Sequence, residues 1–181
     1  MAPVATMIEH LLCDPGYKSA RERGGWWVWD SPQGIEPPPW ELLLENIAFS
    51  NVRNGELRAL PNLGFVGYHA NRIPWVGHIR REIGAECPDT ETSAHLFLSM
   101  GIQSGGYGRH KDDSDLWFWQ CYGTTDWRVE HPEGDYVGTL GPGSWIYVHR
   151  ELYHTVRPQG ARAAISFANH YLIPKNTIKL F

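Results

Sequence analysis

From Ser93 onward the chain is cut into short runs of aromatic and β-branched residues by glycine, proline and aspartate, and this rhythm limits the fold most. The runs fall at residues 95–100, 107–112 leading into 116–122, 127–130, 136–140, 145–148, 155–156 and 163–171. Gly123-Thr124-Thr125-Asp126 and Gly141-Pro142-Gly143 mark turns between them. Many short strands at near-regular spacing imply an all-β sandwich or barrel. There is no internal repeat and no low-complexity tail.

Successive side chains of a strand point to opposite faces. If the run from His110 to Gln120 is continuous and free of bulges, then His110, Asp112, Ser114, Leu116, Phe118 and Gln120 share one face. Trp117, Trp119 and Cys121 share the other. The first set mixes metal-ligating and moderately apolar groups, as the interior of a ligand-holding barrel would. The second is bulky and apolar, suited to burial under covering helices.

Such helices are available upstream. Residues 3–12 read as a short helix stopped by Asp14-Pro15-Gly16, and residues 40–47 as a second, with Leu43, Leu44 and Ile47 at helical spacing. Residues 75–83 read as a third. Trp26-Trp27-Val28-Trp29 reads as a short strand. Residues 51–68 carry Asn-Gly and Pro-Asn-Leu-Gly turn signals and read as loops with one or two strands. The expected organisation is an N-terminal covering region, 1–92, and a β core, 93–181, integrated as one domain. With 42% hydrophobic and 20% charged residues the chain is globular. Nine tryptophans either fill the core or line a cleft, with Trp26, Trp27, Trp29 and Trp75 as candidates for its entrance.

A net charge of −4 gives no general attraction to nucleic acid. The three cysteines, Cys13, Cys87 and Cys121, are far apart and form no Cys-x-x-Cys. This argues against a disulfide framework or structural zinc and for a reducing compartment. The N-terminal residues do not read as a secretory signal, and no apolar run reaches the roughly 20 residues of a bilayer span. The expectation is a cytoplasmic protein without a membrane partner. Oligomeric state is not legible.

The chemistry concentrates at Gly108-Arg109-His110-Lys111-Asp112-Asp113 and at Tyr153-His154. In extended chain, His110 and Asp112 project to one face, and His154 from a distant strand can complete a triangle. Two imidazoles and one carboxylate with open positions suit a non-haem Fe(II) oxygenase. A single carboxylate leaves the ion electrophilic enough for an anionic co-substrate and then O2. His-x-Asp alone occurs by chance in many chains, and surface or packing histidines are the plain alternative.

The wider pattern narrows this. His110-Lys111-Asp112-Asp113-Ser114-Asp115-Leu116-Trp117-Phe118-Trp119-Gln120, then Gly123 and Trp127-Arg128-Val129, resembles the cupin-type JmjC oxygenases. That group includes the ribosomal-protein hydroxylases and the asparaginyl hydroxylase of hypoxia-inducible factor. Leu140-Gly141-Pro142-Gly143-Ser144-Trp145 resembles the turn and strand preceding the family's second ligand histidine. Tyr153-His154-Thr155-Val156 matches the context of that ligand and favours His154 over His149. The resemblance spans about residues 95–171.

The resemblance implies a double-stranded β-helix of the cupin or jelly-roll type, with the N-terminal helices packed on one face. It implies Fe(II) on His110, Asp112 and His154, with 2-oxoglutarate as co-substrate and O2 as oxidant. Because Asp112 is present, hydroxylation is favoured over halogenation. The family usually places Lys or Arg two residues after the motif glycine to pair with the far carboxylate of 2-oxoglutarate; here that residue is Thr125. Arg162 lies at about the offset from His154 where other 2-oxoglutarate oxygenases keep an arginine, and its fork suits a carboxylate. It is the expected anchor, helped by Ser166 or Thr125; a solvated strand-end arginine is the alternative. Asn169 falls where the asparaginyl hydroxylase keeps an asparagine near the iron. Gln120 and Tyr107 are pocket candidates by parity and proximity to His110, though either could be structural, and Lys111 should face away.

Three functions are compatible with these residues. The first is a 2-oxoglutarate-dependent dioxygenase hydroxylating a protein or peptide side chain, or a small amino-acid-like molecule. The second is a metal-dependent cupin enzyme that uses no 2-oxo acid. The third is a non-enzymatic β-barrel binding module.

Overall fold

The computed structural model describes residues 4–30, 32, 36–50, 54–61, 63–101 and 107–171. Pro3 of the expected first helix and Asn62 of the expected turn lie outside them. The helices are α1 (Val4–Cys13), α2 (Pro15–Glu22), α3 (Trp40–Phe49) and α4 (Pro74–Ala85). Strands β1 (Trp26–Trp29), β2 (Leu57–Leu60) and β3 (Gly64–Gly67) come from the first half of the chain. The second half supplies β4 (Thr90–Met100), β5 (Ser114–Tyr122), β6 (Thr125–Val129), β7 (Tyr136–Leu140), β8 (Trp145–Val148), β9 (His154–Pro158) and β10 (Ala161–Tyr171).

A seven-stranded antiparallel sheet runs in the order β1-β8-β5-β10-β4-β3-β2, and a three-stranded sheet in the order β7-β6-β9. At the free edge of β9 the chain at His110 forms an antiparallel bridge to His154, each backbone N–H donating to the other's carbonyl at 3.0 and 2.7 Å. The two sheets meet across a shared apolar core. The result is a double-stranded β-helix, mainly β as expected.

Two apolar cores lie on either side of the large sheet. The helix-side core takes alternate residues of the central strands, including Trp117, Trp119, Cys121, Ile165 and Phe167, and packs them against Ile8, Tyr17, Leu43, Ile79 and Ile83. The core between the sheets takes Leu116, Phe118, Ile146, Val148 and Ala164 against Trp127, Val129 and Leu140. Residues Ser114 to Cys121 of β5 are all buried because both faces of the strand are covered, and its centre, 116–119, is apolar throughout. The parity reading holds from Ser114 to Gln120 but not before it, where Asp112, Asp113 and Ser114 all line one cavity. The one irregularity pairs Ala163 with Tyr122 and Ala164 with Gln120, leaving Cys121 as the extra residue just beyond.

Several expectations are corrected. Asp14-Pro15-Gly16 ends α1 but also starts α2: Asp14 Oδ1 accepts from the N–H groups of Gly16 and Tyr17, and proline stands at the first helical position. Residues 107–112 do not form a strand. They are extended chain with a single bridge, and a bend at Asp113 precedes β5. The first half is more than a cover, since β1, β2 and β3 extend both edges of the main sheet. None of Trp26, Trp27, Trp29 and Trp75 lines the barrel pocket. Trp29 belongs to the helix-side core, Trp27 and Trp75 pack against it, and Trp26 packs against the inter-sheet core beside Tyr136.

Gly123 explains the glycine of the Gly-x-x-x-Trp pattern. Its φ is +67°, and a Cβ there would stand 2.2 Å from the carbonyl oxygen of Ala161. The turn from β5 to β6 therefore seats directly on the start of β10, one residue from Arg162.

Candidate metal centre and its pocket

His110, Asp112 and His154 converge, with ligand atoms all within 4.8 Å of one another. Asp112 lies between the imidazoles: one carboxylate oxygen is 3.9 Å from His110 Nε2, the other 3.6 Å from His154 Nε2. Each ring is oriented from behind. His110 Nδ1 sits 3.1 Å from the carbonyl of Gly108, and His154 Nδ1 sits 3.1 Å from that of Leu152. With Nδ1–H donating to a carbonyl, Nε2 is left as a free lone pair directed at the group's centre. Burial and then the neighbouring His110 hold His154 below its ordinary pKa, which favours the neutral, metal-binding form. Two imidazole nitrogens and one carboxylate fit a divalent transition metal. The backbone bridge between His110 and His154 sets the distance, because it ties the ligand loop to β9. Lys111 turns outward to pair with Glu151, as its parity requires.

The three side chains open into a cavity of about 240 Å³ between the sheets. Arg162 lines it and is 3% exposed. Its Nε donates to Ser99 Oγ at 3.2 Å, while its Nη1 is buried without a hydrogen-bond partner. No carboxylate among the described residues pairs with it, and burial pulls its guanidinium down to about 10. A buried cation lacking a counter-charge is costly. An anionic ligand in the cavity would relieve that cost, so the residues present fit a carboxylate. Ser166 and Tyr107 also line the cavity. The Tyr107 ring lies edge-on to His110 at 5.5 Å, with Arg58 over it.

Three expected pocket residues lie elsewhere. Gln120 is fully buried and donates to the carbonyls of Tyr122 and Gly123. Thr125 donates to Gln120 Oε1 at 2.8 Å and accepts from the Trp127 indole at 3.1 Å. Both hydroxyl and amide are consumed in closing the β5–β6 turn, and neither residue lines the cavity. Asn169 has the opposite parity to Ser166 on β10; its Oδ1 accepts from Thr92 at 2.6 Å, and it too is absent from the lining.

Other lining residues are missing from the sequence reading. Trp127 stacks on His154, ring centres 5.8 Å apart and planes 18° from parallel. His95 and Phe97 face the cavity from β4, and Tyr68 and His170 join them. Alternation would have found the first two: Ala94, Leu96 and Leu98 enter the helix-side core, so His95, Phe97 and Ser99 belong to the other face. Tyr68 follows β3 and carries no such signal.

No protein-family model matches this chain, and no curated protein matches it by sequence. Solved structures do. The X-ray structure of YcfD from E. coli superposes with a TM-score of 0.62 at 17% identity, over 90% of this chain and 53% of that one. A structure described as YcfD, a ribosomal oxygenase from Escherichia coli, gives 0.60 at 17% identity over 84% of this chain and 49% of that one. The complex of YcfD with cobalt and 2-oxoglutarate gives 0.57 at 18% identity, over 83% and 49%. The present chain thus spans about half the length of these proteins. At this identity the likeness establishes the shared fold.

Proposed function

We propose that this chain is an Fe(II)- and 2-oxoglutarate-dependent dioxygenase that hydroxylates an unactivated C–H bond. The carrying observation is that one largely apolar cavity, open at one end, holds both a three-ligand metal face and a buried guanidinium with an unpartnered nitrogen. A ligand that chelates a metal at one end and carries a carboxylate at the other matches both. His110, Asp112 and His154 would hold the iron, leaving the remaining positions open. Bound iron, with 2-oxoglutarate and O2, supplies an oxidant that inserts one oxygen atom into the substrate while the 2-oxo acid loses CO2 and becomes succinate.

The chain's own residues bind, orient and exclude water. Arg162 neutralises the far carboxylate and fixes its direction. Phe97, Phe118 and Trp127 keep the cavity wall apolar. Trp127 also holds the His154 ring in plane. A protein or peptide side chain, or a small amino-acid-like molecule, is the proposed substrate. The likeness to a structure described as a ribosomal oxygenase supports the protein alternative. Cytoplasmic residence belongs to the same proposal, as does a single integrated domain, since β4 runs across residue 92 and the first three strands share its sheet.

Fe(II) added without oxygen, followed by 2-oxoglutarate, should give the weak visible charge-transfer band of the chelate. Metal uptake without that band would favour a cupin enzyme using no 2-oxo acid. Absence of metal uptake would favour a binding module. Succinate release stimulated by individual peptides or amino acids then identifies the substrate.

A further inference from the structure

We propose that Ser99 is a positioning residue for Arg162, and that this cross-strand pair gives the cavity its selectivity for a 2-oxo acid with a second carboxylate. The inference rests on the dioxygenase reading and deepens it.

Ser99 and Arg162 are direct partners in the β4–β10 register, so their side chains emerge on one face of the sheet. Ser99 is 1% exposed, and its hydroxyl is the one hydrogen-bond partner of the Arg162 side chain among the described residues. An arginine has three rotatable bonds beyond Cβ and, in a roomy cavity, would sample several directions. Here Nε is fixed at 3.2 Å by Ser99 Oγ. The guanidinium carbon rests over the rings of Phe97, at 6.0 Å, and Phe118, at 5.7 Å. These contacts use the inner edge of the fork and its faces, and they leave Nη1 unpartnered. A serine hydroxyl is a neutral acceptor. It orients the guanidinium without cancelling its charge, whereas a carboxylate in its place would satisfy the cation and remove its attraction for a ligand. Phe97 and Phe118 likewise hold the group without competing for its N–H bonds. The arrangement is a preorganised half of a carboxylate site.

The test deletes the interacting group from the ligand as well as from the protein. The probes are 2-oxoglutarate and 2-oxopentanoate, which differ in the far carboxylate. Each is titrated anaerobically into the Fe(II)-loaded protein, with Kd read from the charge-transfer band. In the wild-type protein 2-oxoglutarate should bind far more tightly. Ser99→Ala should weaken 2-oxoglutarate on the order of tenfold, as expected for loss of one hydrogen bond to a charged group, and leave 2-oxopentanoate unchanged. Ser99→Cys, of similar size and with a weaker acceptor, should fall between; it also carries the test if the alanine variant folds poorly. KM for 2-oxoglutarate should rise with little change in kcat. Equal weakening of both acids, or no change in either, overturns the positioning role. A wild-type protein that takes up iron yet shows no band with either acid overturns the dioxygenase reading itself, and this inference with it.

Discussion

On the helix side of the large sheet, Trp119 stacks on Trp145 at 5.0 Å and Trp145 on Phe167 at 5.8 Å. On the barrel side the same three strands present Phe118, Ile146 and the small residues Ala164, Ser166 and Ala168. One face is filled by indoles; the other leaves the cavity. Nothing in the backbone distinguishes them, since the residues alternate along shared strands. The difference lies in side-chain volume: small residues at every second position of β10 open the space that Arg162 and the metal ligands border. Packing and function are thus written into opposite parities of one strand.

This contrast can be broken directly. Trp119→Ala removes a fully buried ring from the filled face and should cost about 3–5 kcal/mol in denaturant unfolding. A loss below about 1 kcal/mol would mean that this face is not close-packed. Next in size is a matched pair on β10. Ala163→Leu, on the filled face, should destabilise by about 1–3 kcal/mol through overpacking. Ala168→Leu, on the cavity face, should cost less and instead weaken 2-oxoglutarate binding. Equal costs in the two variants would contradict the asymmetry.

Arg162→Met should separate stability from binding. Removing a buried cation that lacks a counter-charge should stabilise the ligand-free protein by about 1–2 kcal/mol, while 2-oxoglutarate binding is lost and iron uptake retained. Destabilisation with unchanged affinity would make Arg162 a structural residue. A smaller effect concerns pH. Burial, then His170 and His69, push His95 down to about 4, with Asp112 opposing. Between about pH 4 and the ordinary histidine value the unfolded chain therefore binds the proton that the folded protein refuses. Stability should rise with pH across that window and fall on acidification. In metal-free protein, His95→Gln should flatten the slope by up to about 1 kcal/mol per pH unit; an unaltered slope would remove His95 from the account.

Much of this was legible in the sequence because two periodicities carry it. The strand rhythm after Ser93 gave the β class, and the parity of residues 114–120 separated Trp117 and Trp119 from Leu116 and Phe118. His110, Asp112 and His154 were legible from ligand chemistry and motif context. Thr125, placed by motif position, and Gln120, placed by parity and proximity to His110, mislead because neither signal speaks to hydrogen bonding: Thr125 donates to the Gln120 amide oxygen across a turn. Asn169 misleads because motif position sets it near the iron, whereas its parity on β10, opposite to Ser166, turns it away from the cavity to Thr92. The joining of β2 and β3 to the main sheet, which brings Val66 and Tyr68 to the cavity, depends on long-range pairing for which no local residue pattern exists.

The central claim is that three particular side chains form one metal site, and titration with Co(II) followed by its visible absorption tests it most directly. The wild-type protein should bind one ion per chain. His154→Ala should abolish that site, while His149→Ala, whose imidazole lies 3.9 Å from Asp115 instead, should keep it. Retention in His154→Ala, or loss confined to His149→Ala, would contradict the account.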